Sequence, residues 1–209
     1  MTQFFTTRLG RRSLMKGAAA LGALQVASPF LIQARGETPI RMGMVDPLTG
    51  VYAAPAGNEV MGAKLAVEQI NAKGGILGRQ VELLVEDSAN DVGIGVQKAR
   101  KLIERDQVNF MIGDVNSGIA AAIAQVTNEK KVLHIVSGGH TDSITGKDCK
   151  WNVFRVCNTT RMEANSVSDV LFKKYGKKWH FITPDYAFGH TLYEGCEANL
   201  KKLGGTVTG

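Results

Sequence analysis

Nowhere do these 209 residues supply the roughly 20 consecutive apolar residues that a membrane-spanning helix needs, so a sensor that crosses a membrane within this stretch is excluded. The weakly apolar segment after Lys16 is interrupted by Gln25, Ser28 and Pro29. Cysteine is scarce: Cys149, Cys157 and Cys196 are the three, and they show no metal-ligand spacing. Extended chain between Cys149 and Cys157 would hold them about 26 Å apart, whereas a disulfide needs Cα atoms within about 7 Å. A G-x-S-x-G nucleophile turn and a G-x-x-x-x-G-K-[ST] phosphate loop are both missing. "GIGVQK" (93 to 98) lacks the third glycine of a dinucleotide fingerprint and falls inside a helical pattern. Acid is absent from residues 1 to 34, which carry Arg8, Arg11, Arg12 and Lys16. Taking those four from the 25 basic residues leaves 21 against 19 acidic ones, so the net charge of +6 belongs mostly to the N-terminus. No nucleic-acid footprint remains.

What is present begins with that terminus. In "GRRSLMKGAAALGALQVASPFLIQARG" the pair Arg11 and Arg12, then Leu14 and Lys16, lead into an Ala- and Gly-rich stretch. This resembles a twin-arginine export signal, with cleavage expected near Ala34 and the twin-arginine export machinery as a partner. No Cys follows the apolar part, so a lipid anchor is not indicated.

Beyond residue 39 short β-type runs alternate with helical ones. Strands are expected at 40 to 46, 80 to 87, 108 to 113 and 132 to 136, and helices at 57 to 75, 91 to 106 and 117 to 130. The first helix spaces Val60, Ala63, Leu65, Ala66, Val67 and Ile70 along its length and stops on Gly74 and Gly75, while Asp91 and Ser117 stand where the next two helices need caps. Strand, helix, strand in this order requires crossover helices, hence an open, doubly wound parallel α/β sheet. "WNVFRV" (151 to 156) reads as a crossing segment. A second α/β unit then starts, with helices at about 161 to 175 and 189 to 203, a strand at 177 to 183 and another beginning at "TVTG". The chain stops there without a terminal helix, as the N-terminal part of a longer protein would.

In such sheets the binding crevice lies beyond the carboxyl ends of the strands. Three loops qualify: "DPLTGVYAAPAG" (46 to 57), "GDVNSG" (113 to 118) and "VSGGHTDS" (136 to 143). The last is the most telling, because an apolar strand breaks off into Gly138, Gly139, His140 and Thr141. Glycines let backbone approach a ligand, and the His and Thr side chains donate or accept. Asn116 and Ser117 sit at the positive end of the following helix, where a carboxylate or other acceptor is favoured. Ser117 as a plain cap, the glycines as a plain turn and His140 as a solvated residue are the bland readings. His134 and His180 lie in apolar strand patterns and read as structural. Asp87 and Asp91 read as cap and turn residues ahead of paired catalytic acids.

"NAKGGILGR", "PLTG" and the strand ending "IGDVNSG", with the later "VFRV" and "DYAFG", resemble the branched-chain-amino-acid-type (type I) periplasmic solute-binding proteins of ABC transporters. The likeness runs from about residue 39 to the end. It implies a two-lobed clamp, with residues 35 to 156 as the first lobe and 157 to 209 as the start of the second, closing on a small-molecule solute by hinge motion. It also implies a periplasmic protein that hands its solute to an ABC transporter permease in the inner membrane, with no cofactor, no metal and no covalent chemistry. Residue by residue, Ser117 matches a serine used on a ligand carboxylate, Gly138 a backbone carbonyl contact, and Phe188 a second-lobe aromatic. His140 stands where a threonine is common, and Pro55 where a first-lobe tyrosine often stacks, with Tyr52 as its substitute. Both departures point away from a branched-chain amino acid and leave other amino acids, amides, urea-like compounds and aromatic acids open. An amide- or amino-acid-sensing regulatory receptor of the same fold is the alternative, though a cytoplasmic regulator would not need "RRSLMK".

Overall fold

The computed structural model describes residues 38–209, so Arg11, Arg12 and the expected cleavage position near Ala34 lie outside the described residues. Strands and helices alternate as β1 (Ile40–Asp46), α1 (Ala53–Ala72), β2 (Val81–Asp87), α2 (Val92–Arg100), β3 (Phe110–Ile112), α3 (Ser117–Lys130) and β4 (Leu133–Val136). Then come β5 (Val153–Arg155), α4 (Thr160–Tyr175), β6 (Lys178–Trp179), α5 (Ala187–Lys202) and β7 (Thr206–Val207). A π turn over Lys101–Arg105 prolongs α2, and a 3-10 turn over Asp142–Thr145 precedes β5.

The first five strands form one sheet in the order β2-β1-β3-β4-β5, every neighbouring pair parallel. Period-two alternation sends its side chains to two cores. Met42 and Met44 of β1 pack with Val60 and Ala63 of α1, whereas Val45 and Met111 face Ala99 and Leu102 of the α2 segment and Ile119 and Ile123 of α3. Helices therefore cover both faces, as a doubly wound sheet requires. Each such side chain taken fully from water contributes about 1.5–3 kcal/mol. β6 and β7 make a separate parallel pair, and α4 packs on α5 beside it, Gly195 of α5 lying against Ala164 of α4.

Several local expectations shift. Helix α1 starts four residues before position 57, at Ala53, because Pro55 falls in the first turn, where a missing N–H breaks no helical bond. Its core-facing stripe is Ala56, Val60 and Ala63, which are buried, with Val67 and Ile70 half-buried, while Leu65 is 54% exposed. The two-glycine stop holds: Gly75, at φ +79°, donates its N–H to Ile70 O at 3.0 Å, and a Cβ there would meet Arg79 O at 1.9 Å. "WNVFRV" does more than cross, since Ile135 pairs with Phe154 and β5 becomes the sheet's fifth strand. The 177 to 183 strand shrinks to Lys178–Trp179, and His180 lies outside it, exposed. All three cysteines are free thiols.

Candidate functional site

The strand order reverses between β1 and β3, and a doubly wound sheet opens its crevice at such a switch point. Three loops meet there. The first is tied down by Asp87, whose carboxylate accepts from Leu48 N (2.9 Å), Thr49 Oγ1 (2.9 Å) and Ala89 N (2.7 Å). Desolvation opposes the charge, but the bonds from Ala89, Thr49 and Leu48 overcome it and hold Asp87 below the usual carboxylate range. Asp91 caps α2 as expected, accepting from Ile94 N at 2.8 Å.

The second loop carries a correction. Asn116, with extended backbone, is the cap of α3: its Oδ1 accepts from Gly118 N (2.8 Å) and Ile119 N (3.3 Å). Ser117 is already helical, so its side chain is freed from capping and accepts from Thr141 N at 3.1 Å. His134 supports this loop from beneath. Its Nε2 bonds Gly113 O at 2.9 Å, and burial pushes its pKa down to about 4, so the imidazole is neutral and structural as the sequence suggested.

The third loop is held from the far side. Arg155 Nη1 donates to Gly139 O (3.0 Å) and Thr141 O (2.7 Å), and Thr191 Oγ1 of α5 donates to Thr141 Oγ1 at 3.1 Å. Gly139 faces inward, where a Cβ would lie 2.8 Å from Ala120 Cβ. Gly138 faces Glu59 and Val115.

Between these loops and the α4–α5 segment lies a cleft of about 250 Å³. Tyr52, Val115, Gly138 and His140 line one side, and Glu163, Pro184, Tyr186 and Phe188 the other. The rings form a cage: Phe188 stands edge-on to His140 at 6.0 Å and tilted to Tyr186 at 6.1 Å, and Tyr52 meets Tyr186 edge-on at 6.1 Å. Polar contacts also span the cleft. Tyr52 Oη donates to Tyr186 Oη at 2.8 Å, and His140 Nδ1 is paired with Glu163 Oε1. Desolvation first, and then Tyr52, push the Tyr186 hydroxyl well above its ordinary pKa, so it stays protonated. A larger cavity of about 440 Å³ beside the 3-10 turn holds none of the sequence-predicted residues.

The structure thus brings Tyr52, Gly138, His140 and Phe188 to one cleft and places Asn116, Ser117, Gly139 and Thr141 behind its wall, each of the four buried. Pro55 is exposed in the first turn of α1. Sequence reasoning missed Glu59, Glu163, Tyr186 and the strand-end acids Asp46 and Asp114. For Asp46 a signal existed, an acid closing an apolar strand just before Pro47; Glu163 and Tyr186 carry none.

Residues 39–209 match the family model for periplasmic binding proteins. Leu/Ile/Val-binding protein homolog 3 of Brucella melitensis is 33% identical over 185 residues, covering 88% of this chain and 50% of that protein. A periplasmic binding protein of Burkholderia mallei superposes with TM-score 0.76 at 29% identity, over 81% of this chain and 45% of that one. A solute-binding protein of an ABC transporter from Rhodopseudomonas palustris, in complex with 3,4-dihydroxybenzoic acid, follows at TM-score 0.72 and 26% identity, over 82% and 46%. The chain spans about half the length of the curated relatives it matches. With a parallel sheet in this order, a crevice at its switch point and these likenesses, the chain belongs to the periplasmic binding protein family.

Proposed function

We propose that the protein captures a small organic solute in this cleft, outside the cytoplasm, and delivers it to the permease of an ABC importer. The observation that carries the reading is the lining itself: half comes from the loops of the five-stranded sheet and half from the α4–α5 segment. A ligand held by both halves favours the closed arrangement through contacts that neither half offers alone. Residues 35 to 156 act as the first lobe and 157 to 209 as the start of the second. Rings and backbone bind the solute without a cofactor, and no reacting group is required.

The ring cage suits a solute with an apolar or aromatic body. Ser117, buried behind the wall, ties the third loop to the start of α3 by accepting from Thr141 N. Asn116, Gly139 and Thr141 hold the wall in shape. Amino acids, as the relatives' names suggest, with His140 and Pro55 departing from the branched-chain pattern, and aromatic acids, as in the Rhodopseudomonas complex, are the two ligand classes this reading carries. Calorimetric titration of the full chain with L-leucine, L-phenylalanine, benzoate and 3,4-dihydroxybenzoate tests this. Micromolar or tighter binding of at least one is expected, with Phe188→Ala weakening it about tenfold to a hundredfold, the equivalent of ~1.4–2.7 kcal/mol. No binding by any of the four, or full affinity in the Phe188 variant, overturns the reading.

Export through the twin-arginine route follows from Arg11 and Arg12 and favours capture outside the cytoplasm over cytoplasmic sensing. Replacing both by lysine is expected to leave the precursor in the cytoplasm. Normal levels of processed protein outside the cytoplasm after that change would remove this route.

A further inference from the structure

Two side-chain contacts cross the cleft, and they answer differently to pH. Tyr52 Oη donates to Tyr186 Oη at 2.8 Å, and His140 Nδ1 meets Glu163 Oε1. Phenols do not ionise between pH 5 and 8, whereas an imidazole changes charge there. His140 sits on the loop after β4 and Glu163 in the first turn of α4, so their pair joins the two halves of the lining. Beside it Thr160 N donates to His140 O at 2.9 Å, a fixed point where the chain enters α4, and Glu163 lies nearly one turn further on.

The hydrogen bonds fix which nitrogen carries the proton. Asn158 Nδ2 donates to the same Glu163 oxygen at 2.6 Å, so that oxygen is an acceptor and Nδ1 of His140 donates to it. Nε2 makes no hydrogen bond among the described residues. A proton added there breaks nothing and turns the Nδ1 contact into a charge-assisted pair. The two side chains are 30% and 26% exposed, so solvent screens them less than a surface pair. The surroundings favour an imidazolium. Glu59 on α1, raised by burial and lowered by Ser137 and then His140, is a second acid within reach, and among the described residues no Lys or Arg lines the cleft. Arg155 of β5 is turned to Gly139 O and Thr141 O, and Asp142 on the same loop is matched by Arg161. Burial pushes the Cys157 thiol of the connecting segment up, so it stays neutral.

We propose that His140 and Glu163 form a proton-dependent clasp across the cleft, which holds the solute more tightly in acidic surroundings and releases it more readily as pH rises. The inference rests on the capture reading above. Protonation strengthens a bond that exists only while the two halves are together, so the closed arrangement takes up the extra proton more readily than the open one. By linkage, acid therefore favours closure. The added affinity is complete below the range in which the imidazole titrates and is lost above it.

L-leucine and benzoate, whose own charges do not change over the range, titrated into the full chain at pH 5.5, 6.5, 7.5 and 8 test the proposal. For whichever binds, affinity is expected to fall about threefold to tenfold from pH 5.5 to pH 8, with the slope abolished in His140→Gln and in Glu163→Gln. Tyr52→Phe is expected to weaken binding at every pH and to keep the slope, because the bond it removes does not titrate. Asp46 and Asp114, raised mainly by burial to about 9 and about 7, remain in all these variants, so a slope that survives in His140→Gln belongs to them and overturns the clasp. Small-angle scattering from the chain without added solute reads closure directly. The radius of gyration is expected to be smaller at pH 5.5 than at pH 8, and the difference to vanish in His140→Gln. Scattering indifferent to pH overturns the clasp. Failure of both probes to bind, with the compaction still present and still dependent on His140, would count against the capture reading and leave the clasp standing.

Discussion

Asp46→Asn is expected to stabilise the protein at pH 8 by about 3 kcal/mol and to flatten the fall of its melting temperature with rising pH. Asp46 is fully buried, and desolvation first, then the charges of Glu59 and Asp114, raise its pKa from 3.8 to about 9, against the single lowering bond from Val115 N. The unfolded chain releases this proton near pH 4, whereas the folded chain keeps it until about pH 9. Across that window the native state binds more protons than the unfolded one. The associated stability is therefore complete below about pH 4 and is lost as pH rises through about 9. Asp114, raised to about 7, adds a second loss that is complete earlier. An asparagine keeps the acceptor for Val115 N and has no proton to lose. Chemical denaturation at pH 5, 7 and 9 measures the effect, and about 3 kcal/mol corresponds to roughly 6–12 °C in a chain of this size. A pH slope unchanged by Asp46→Asn would show that Asp46 is not the titrating group.

Gly138→Ala is expected to cost at least a hundredfold in solute affinity, about 2.7 kcal/mol, while leaving a folded protein. The new methyl group would fall 2.2 Å from Glu59 Oε1 and 2.9 Å from Val115 Cα. The Glu59 side chain can swing aside, but the Val115 contact is with backbone, so the loop must give way. Both routes damage the cleft: one displaces Glu59 from its place beside the floor, and the other moves the Gly138 and His140 edge. Gly139→Ala is the control. Its methyl would press on Ala120 Cβ, Val136 Cγ1 and Ile144 Cδ1, all packing atoms, so it should lower stability by about 1–3 kcal/mol with a smaller effect on affinity. Wild-type affinity in Gly138→Ala, measured by calorimetry, would mean that the solute does not use this loop.

The candidate site was legible in part. "PLTG" and "VSGGHT" announced binding loops, since an apolar run that breaks into glycines and small polar residues at a strand's end leaves backbone able to approach a ligand, although Gly139 is also required by packing against Ala120. Tyr52, Gly138, His140 and Phe188 do meet in one cleft. Glu163 and Tyr186 escaped because each looks ordinary in its own segment, one an acid in the first turn of a helix and the other a residue just before one. Ser117 stood as a possible cap, its bland reading beside that of a ligand contact; serine and asparagine are nearly equal caps, and Asn116 takes the place through backbone dihedrals that neighbours do not reveal.

Alternation of strand and helix, the Asp91 cap and the Gly74–Gly75 stop were all readable along the chain, because each depends on a local period or on a bond within a few residues. The order β2-β1-β3-β4-β5 was not. It places the ends of β1 and β3 side by side and so brings Asp46 and Asp114 under one floor with Glu59, and it sets Tyr52 against Tyr186 and His140 against Glu163. Those meetings join residues far apart in the chain, and they arise from how buried faces stack against one another, which no local pattern of residues encodes.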